Sequence, residues 1–247
     1  MAESVQPFDL ITMGRIGVDL YPLQSDVPPA RAQTPGQSFQ GSAAQVAVAA
    51  ARLGRSTTVI TRTGDELDYF AIRAARIFWI TGTGLSEEPS RSATLAALKA
   101  RDKAGITVFD LDWRPTPGND TAWAGAEEAR PYYTEALRHA TVVVGTLDAC
   151  EIATGLREPR ACAEALLASG VELAVVKRGP TAVLAVRRDG TVAEVPPAPV
   201  TAVEVADGLG AGDAFGGALC HGLLSGWELE QIMRYANAAG ATAVGLS

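Results

Sequence analysis

Histidine is nearly absent from this chain. Two residues, His139 and His221, stand far apart in 247, too few for a zinc site built in the usual way. Cysteine is also scarce: Cys150, Cys162 and Cys220 are odd in number and dispersed. They match no metal-ligand spacing and no disulfide framework, which points to a reducing, cytoplasmic compartment. Positive charge is in deficit, with 21 Lys and Arg against 28 Asp and Glu for a net charge of −7. That argues against nucleic acid or an anionic membrane as a main partner. Long apolar runs are missing as well. Residues 1–9 have no apolar core, so no signal peptide is expected, and the longest uncharged run, Ala32–Ala51, carries Pro35, Gly36 and four glutamines, which excludes a membrane span.

What is present is a globular composition, 47% hydrophobic and 20% charged, at a length suited to one α/β domain. Short apolar runs alternate with amphipathic helical stretches. Strands are expected at Asp9–Met13, Thr57–Arg62, Ile77–Thr81, Thr107–Leu111, Thr141–Val144 and Leu173–Lys177. Helices are expected at Ala43–Leu53, capped by Ser42, at Arg91–Ala104, from a first turn at Pro131 to Ala140, and at Ala161–Ser169. The strands after Gly54, Gly105 and Gly170 are almost wholly apolar, the pattern of parallel strands covered on both faces. Val183–Arg187 and Thr191–Val195 read as a hairpin closed by Asp189-Gly190 in a type I′ turn. Two alanine-rich helices, Ala211–Leu224 and Glu228–Gly240, end the pattern. The expectation is a three-layer α-β-α fold with a mainly parallel central sheet, spanning 1–247 as a single domain.

The densest chemical signal is Asp207-Gly208-Leu209-Gly210-Ala211-Gly212-Asp213. Glycines opening into a helix let backbone amides approach an anion, with the positive end of the helix dipole behind them. Asp213 falls in that first turn, where it is kept ionised and able to accept a proton. The same residues also read as a tightly packed helix start with an ordinary N-terminal carboxylate.

This segment resembles the D-x-x-G-A-G-D signature of the ribokinase-like, or PfkB, carbohydrate kinases. So do the following Ala214-Phe215-Gly216-Gly217-Ala218-Leu219 and Asn237-Ala238-Ala239-Gly240. Gly14, Asp19 and the Gly41-Ser42-Ala43-Ala44 turn are similar to the family's first signature. Asp110–Pro115 and Glu172–Pro180 resemble the bacterial 5-dehydro-2-deoxygluconokinases of inositol catabolism in particular. The resemblance covers nearly the whole chain in order. It implies a ribokinase-like fold and ATP-dependent phosphorylation of a sugar's primary hydroxyl, with Mg2+ bridging the nucleotide phosphates. Asp213 would be the catalytic base, and the amides of Gly210, Ala211 and Gly212 the anion hole. Asp19, Gly41, Gln45 and Arg114 would hold the sugar. Lys177, Gly179, Asp207 and Asn237 would line the nucleotide pocket. The family often dimerises through its lid, so a homodimer is expected where the lid survives.

Four departures stand against the resemblance. The family's Gly-Gly…Asn is Gln40-Gly41…Gln45 here. Its N-x-x-E motif, which organises magnesium, is Thr146-Leu147-Asp148-Ala149, and Glu151 is offset by two residues, about 200° around a helix. The second glycine of the nucleotide loop is Ala182. Asp65 and Glu66 are adjacent where the family inserts most of its β lid, leaving only 19–40 to supply lid structure, and the chain stops soon after Gly240. These departures keep a second reading open: a catalytically impaired nucleotide- or sugar-binding protein on a kinase scaffold. A Rossmann oxidoreductase is poorly supported, because Gly14-Arg15-Ile16-Gly17 lacks the G-x-G-x-x-G spacing.

Overall fold

The computed structural model describes residues 7–22, 35–61, 67–113, 125–179, 181–198 and 210–244. Ten strands and eight α-helices are found among them. In chain order these are β1 (Leu10–Met13), β2 (Gly17–Pro22), β3 (Pro35–Gln40), α1 (Ser42–Arg52), β4 (Thr57–Ile60), α2 (Tyr69–Ala74), β5 (Ile77–Thr81) and α3 (Ser90–Arg101). Then come β6 (Ile106–Asp110), α4 (Ala126–Leu137), β7 (Val142–Thr146), α5 (Leu147–Thr154), α6 (Pro159–Ala168) and β8 (Leu173–Lys177). The series ends with β9 (Val183–Arg187), β10 (Val192–Val195), α7 (Ala211–Ser225) and α8 (Leu229–Val244).

Eight strands form one sheet in the order β10-β9-β8-β7-β6-β5-β1-β4. The run from β4 through β1 and β5 to β8 is parallel. β9 and β10 add to it antiparallel. Side chains alternate across this sheet as the period of two demands. Ile77 and Trp79 join Val46, Phe215, Ile232 and Met233 on the face covered by α1, α7 and α8. Phe78 and Ile80 join Ile72, Leu98, Tyr133, Cys150 and Leu166 on the face covered by α2 to α6. The three layers expected from the sequence are therefore present, with two apolar cores rather than one. The three cysteines are buried free thiols within them. No helix among the described residues is long and apolar enough to cross a membrane.

β2 and β3 pair antiparallel as a separate two-stranded sheet, with Asp19 opposite Ser38. Its strands lie at the two ends of the 19–40 stretch identified above as lid structure, whose residues 23–34 lie outside the described residues. The Asp65-Glu66 junction lies outside the described residues.

Several local expectations need correction. Ser42 does not cap α1: Gly41 is the N-cap, at φ 117°, and Ser42 is the first helical residue. The 183–195 hairpin is not closed by a type I′ turn. Gly190 has a positive φ of 93° while Asp189 does not, and the Arg187 amide donates to the Thr191 carbonyl at 2.8 Å. That makes a three-residue loop ending in a left-handed glycine, and the Asp189 carboxylate accepts from the Thr191 amide at 2.8 Å. Pro131 is not in a first turn. α4 starts earlier, at Ala126, with Glu127 and Glu128 in its first turn, and Pro131 lies inside it. Acidic residues there complement the helix dipole, while Ala129, Tyr133 and Ala136 anchor the buried face. α3 stops at Arg101 because Asp102 and Lys103 turn left-handed, at φ 49° and 53°. The eight-residue helix α5 had no clear signal between its apolar neighbours.

Candidate active site

The carboxyl ends of the parallel strands meet the N-termini of α1 and α7, the crevice where open α/β sheets bind ligands. β6 delivers Asp110 there and β8 delivers Lys177. α7 begins at Gly210, a left-handed N-cap at φ 85° that glycine alone adopts without strain, and its carbonyl accepts from the Ala214 amide at 2.9 Å. Ala211 and Gly212 form the first turn, whose amides an α-helix leaves without intrahelical acceptors.

Asp213 follows in the same turn and is buried, 8% exposed. The Ser42 hydroxyl donates to its Oδ1 at 2.5 Å. The contact joins the two helices that frame the crevice. They approach closely because α7 carries glycine where it meets α1: a Cβ on Gly217 would lie 2.5 Å from the Ala49 Cβ.

Lys177 leans over the same turn. Its Nζ lies 3.6 Å from where a Cβ on Gly212 would be, and 5.7 Å from the centroid of the Phe215 ring. Asp110 is buried, and burial pushes its carboxyl up to about 6; Asp112 and Asp213 push it the same way, and Lys177 opposes them. The Asp110 Oδ1 accepts from the Asp112 amide at 3.1 Å, and Asp112 accepts from the Thr83 hydroxyl at 3.1 Å. Among the described residues, Lys177, Asp110 and Asp213 thus come together at the start of α7.

The other candidates are placed as follows. The Gly41 carbonyl accepts from the Gln45 amide at 3.0 Å, so both belong to the first turn of α1 beside Ser42. Gly179, at φ 57°, lies in the loop after β8, where the Arg178 amide donates to the Ala182 carbonyl at 2.9 Å. Asn237 is on α8 and donates to the Pro196 carbonyl at 3.0 Å, tying that helix to the segment after β10. α8 also backs the first turn of α7, since a Cβ on Gly240 would lie 3.0 Å from the Ala211 carbonyl oxygen. Asp19 is on the separate β2–β3 sheet. Arg114 and Asp207 lie outside the described residues.

The replaced N-x-x-E segment does other work. Thr146 caps α5, accepting from the Ala149 amide at 3.2 Å. Asp148 and Glu151 both pair with Arg157 on the exposed side of that helix. Sequence reading missed two features. Ser42 looked like a helix cap, and no local pattern shows that its hydroxyl meets a residue on α7. Asp110 was expected in the crevice, but nothing in its neighbours along the chain marks the burial that shifts its titration.

Comparison with known proteins agrees with this architecture. Residues 68–247 match the profile of the pfkB family carbohydrate kinases. A 5-dehydro-2-deoxygluconokinase from Shouchella clausii is 34% identical over 188 residues, 73% of this chain, and the match spans about half of that protein, 54%. The crystal structure of a PfkB protein from Polaromonas sp. JS666 superposes with a TM-score of 0.82 at 20% identity, covering 97% of this chain and 96% of that one. Aminoimidazole riboside kinase from Salmonella enterica, solved with aminoimidazole riboside and an ATP analogue, gives 0.75 at 21% identity over 96% and 94%. The chain belongs to the pfkB family of carbohydrate kinases.

Proposed function

We propose that this protein transfers the terminal phosphoryl group of ATP to the primary hydroxyl of a sugar or keto-sugar acid, with 5-dehydro-2-deoxygluconate as the leading acceptor. The observation that carries the reading is Asp213, buried in the first turn of α7, beside a glycine-rich helix start. Asp213 accepts the proton of the acceptor hydroxyl as its oxygen bonds to phosphorus and the bond to ADP breaks. The products are the sugar phosphate, ADP and that proton. The Gly210, Ala211 and Gly212 turn faces the charge on the phosphoryl in flight, an arrangement worth most where water is excluded. Lys177, beside Gly212, supplies a cation at the same place. Asp19, Gly41, Gln45 and Arg114 serve the sugar side, and Gly179, Asp207 and Asn237 the nucleotide side.

Mg2+ takes one or two carboxylates and completes its shell with phosphate oxygens and water. Among the described residues no group of three or more His, Cys, Asp or Glu is arranged to hold a metal alone. The α5 acids are engaged by Arg157. Asp110 and Asp112 are the acids in the crevice that fit an ion brought in by the nucleotide. When bound, that ion neutralises charge on the phosphates.

The engagement of Asp148 and Glu151 by Arg157 favours one alternative, a protein that binds nucleotide or sugar without turnover. A coupled ADP-release assay over acidic and neutral sugars, with and without Mg2+, separates the two. Sugar-dependent ADP release above the level of Asp213→Asn supports the kinase. ATP binding indifferent to Mg2+, with no sugar phosphate formed, supports the binder.

A further inference from the structure

Ser42 and Asp213 come from opposite ends of the chain, and their contact at 2.5 Å is fixed by packing on both sides. On the donor side, Gly41 is wedged against the backbone before it, since a Cβ there would lie 2.1 Å from the Arg15 carbonyl oxygen. Ala43, which follows Ser42, is buried, and a Cβ on Gly14 would come within 2.8 Å of its methyl group. On the acceptor side, α7 is held against Trp79 and Val46 at Gly216 and against Ala49 and Ala50 at Gly217. Close packing thus holds the backbone on both sides of the Ser42–Asp213 hydrogen bond.

We propose that Ser42 is a positioning residue, one that fixes a carboxylate oxygen of Asp213 and so links the sugar-side turn at Gly41 to the proton-accepting group. The proposal rests on the reading of Asp213 as base and deepens it. A hydrogen bond to one oxygen fixes the rotation of a carboxylate about its Cβ–Cγ bond, and rate depends steeply on the orientation of reacting groups. Ser42 keeps its own proton throughout. Because it donates to the charged form of the carboxylate, it also favours ionisation. Among the described residues, the charged groups near Asp213 from neighbouring elements are Asp110 at the end of β6 and Lys177 at the end of β8, with Asp112 beyond Asp110. All three stay in place when Ser42 is changed.

The test uses the full chain, saturating ATP and the sugar that the wild type turns over fastest. Ser42→Ala is expected to lower kcat about tenfold or more, with the sugar KM changed by less than about twofold. The acid limb of its kcat–pH profile should move to higher pH, because the carboxylate has lost a donor to its ionised form. Ser42→Thr, which keeps the hydroxyl, should recover most of the rate. A folded Ser42→Ala with wild-type kcat and an unmoved acid limb overturns the proposal. So does an equal loss in the Ala and Thr variants with the acid limb unmoved, which marks a packing role. Asp213→Asn run in parallel separates the two readings. If it keeps wild-type activity, the base assignment falls; if it is inactive while Ser42→Ala is normal, only the positioning role falls.

Discussion

Gly41 and the carbonyl of Arg15 are in such close approach that any side chain at position 41 would overlap it: a Cβ would lie 2.1 Å from the oxygen. Gly41 also sits at φ 117°, ψ 113°, outside the regions that L-residues favour. Gly41→Ala is therefore expected to displace the start of α1 and with it Ser42. Stability should fall by about 2 kcal/mol or more, and kcat should fall with it. Thermal unfolding and steady-state kinetics on the same preparation check this. A variant with wild-type melting temperature and rate contradicts the steric argument.

Arg101 is a fully buried guanidinium that serves as a hydrogen-bond hub. It donates to the carbonyls of Ile72 and Arg73 at 2.6 and 2.8 Å, and to those of Arg76 and Ile106 at 3.3 Å each. Burial pulls its pKa down to about 10, so it remains charged at neutral pH. Arg101→Leu removes the guanidinium donor from these carbonyls, the buried Ile72 carbonyl among them, and should cost about 2–4 kcal/mol. The urea midpoint should fall accordingly, and a shift below about 0.5 kcal/mol equivalent would mean the carbonyls find other partners.

Asp110 gives a pH signature. Its ordinary value is 3.8, and burial raises it to about 6 in the folded protein. The folded state therefore binds this proton more tightly than the unfolded state. Stability is lost as pH rises from about 4 to about 6 and is level above that. Asp110→Asn removes the cost of burying the ion. It should be more stable than wild type at pH 7.5, by of the order of 1–3 kcal/mol, with the gap closing below about pH 4. Unfolding curves across that range should converge at acid pH. Parallel curves would place the shift elsewhere.

Much of the sheet was legible in advance. β5, β8 and β9 run over Ile77–Thr81, Leu173–Lys177 and Val183–Arg187 as expected. Each is an apolar run ended by residues that change the backbone direction. The start of α7 was legible for a related reason: glycines before an acidic first turn specify backbone geometry locally. Features that depend on contacts distant in sequence were not legible. Ser42 fits a cap by composition, yet Gly41 takes that place, because the close approach to Arg15 admits no side chain and requires a left-handed backbone. The hairpin at Arg188–Gly190 uses a third residue because the Asp189 side chain satisfies the Thr191 amide. The end of α3 depends on Arg101 turning inward to reach carbonyls of α2, a tertiary demand that overrides helix propensity. Asp110, Lys177 and Asp213 converge only once strand order is known.

The central claim is that Asp213 takes the acceptor proton in a phosphoryl transfer from ATP to a sugar. The most direct measurement follows 5-dehydro-2-deoxygluconate, ATP and Mg2+ by 31P NMR with the wild type and with Asp213→Asn. The account predicts a new sugar phosphate resonance and matching ADP with the wild type. With Asp213→Asn it predicts a rate lower by about 10²–10⁴, the usual worth of a general base. Equal rates of sugar phosphate formation by the two proteins, or ADP released with no phosphate on any sugar tested, would contradict it.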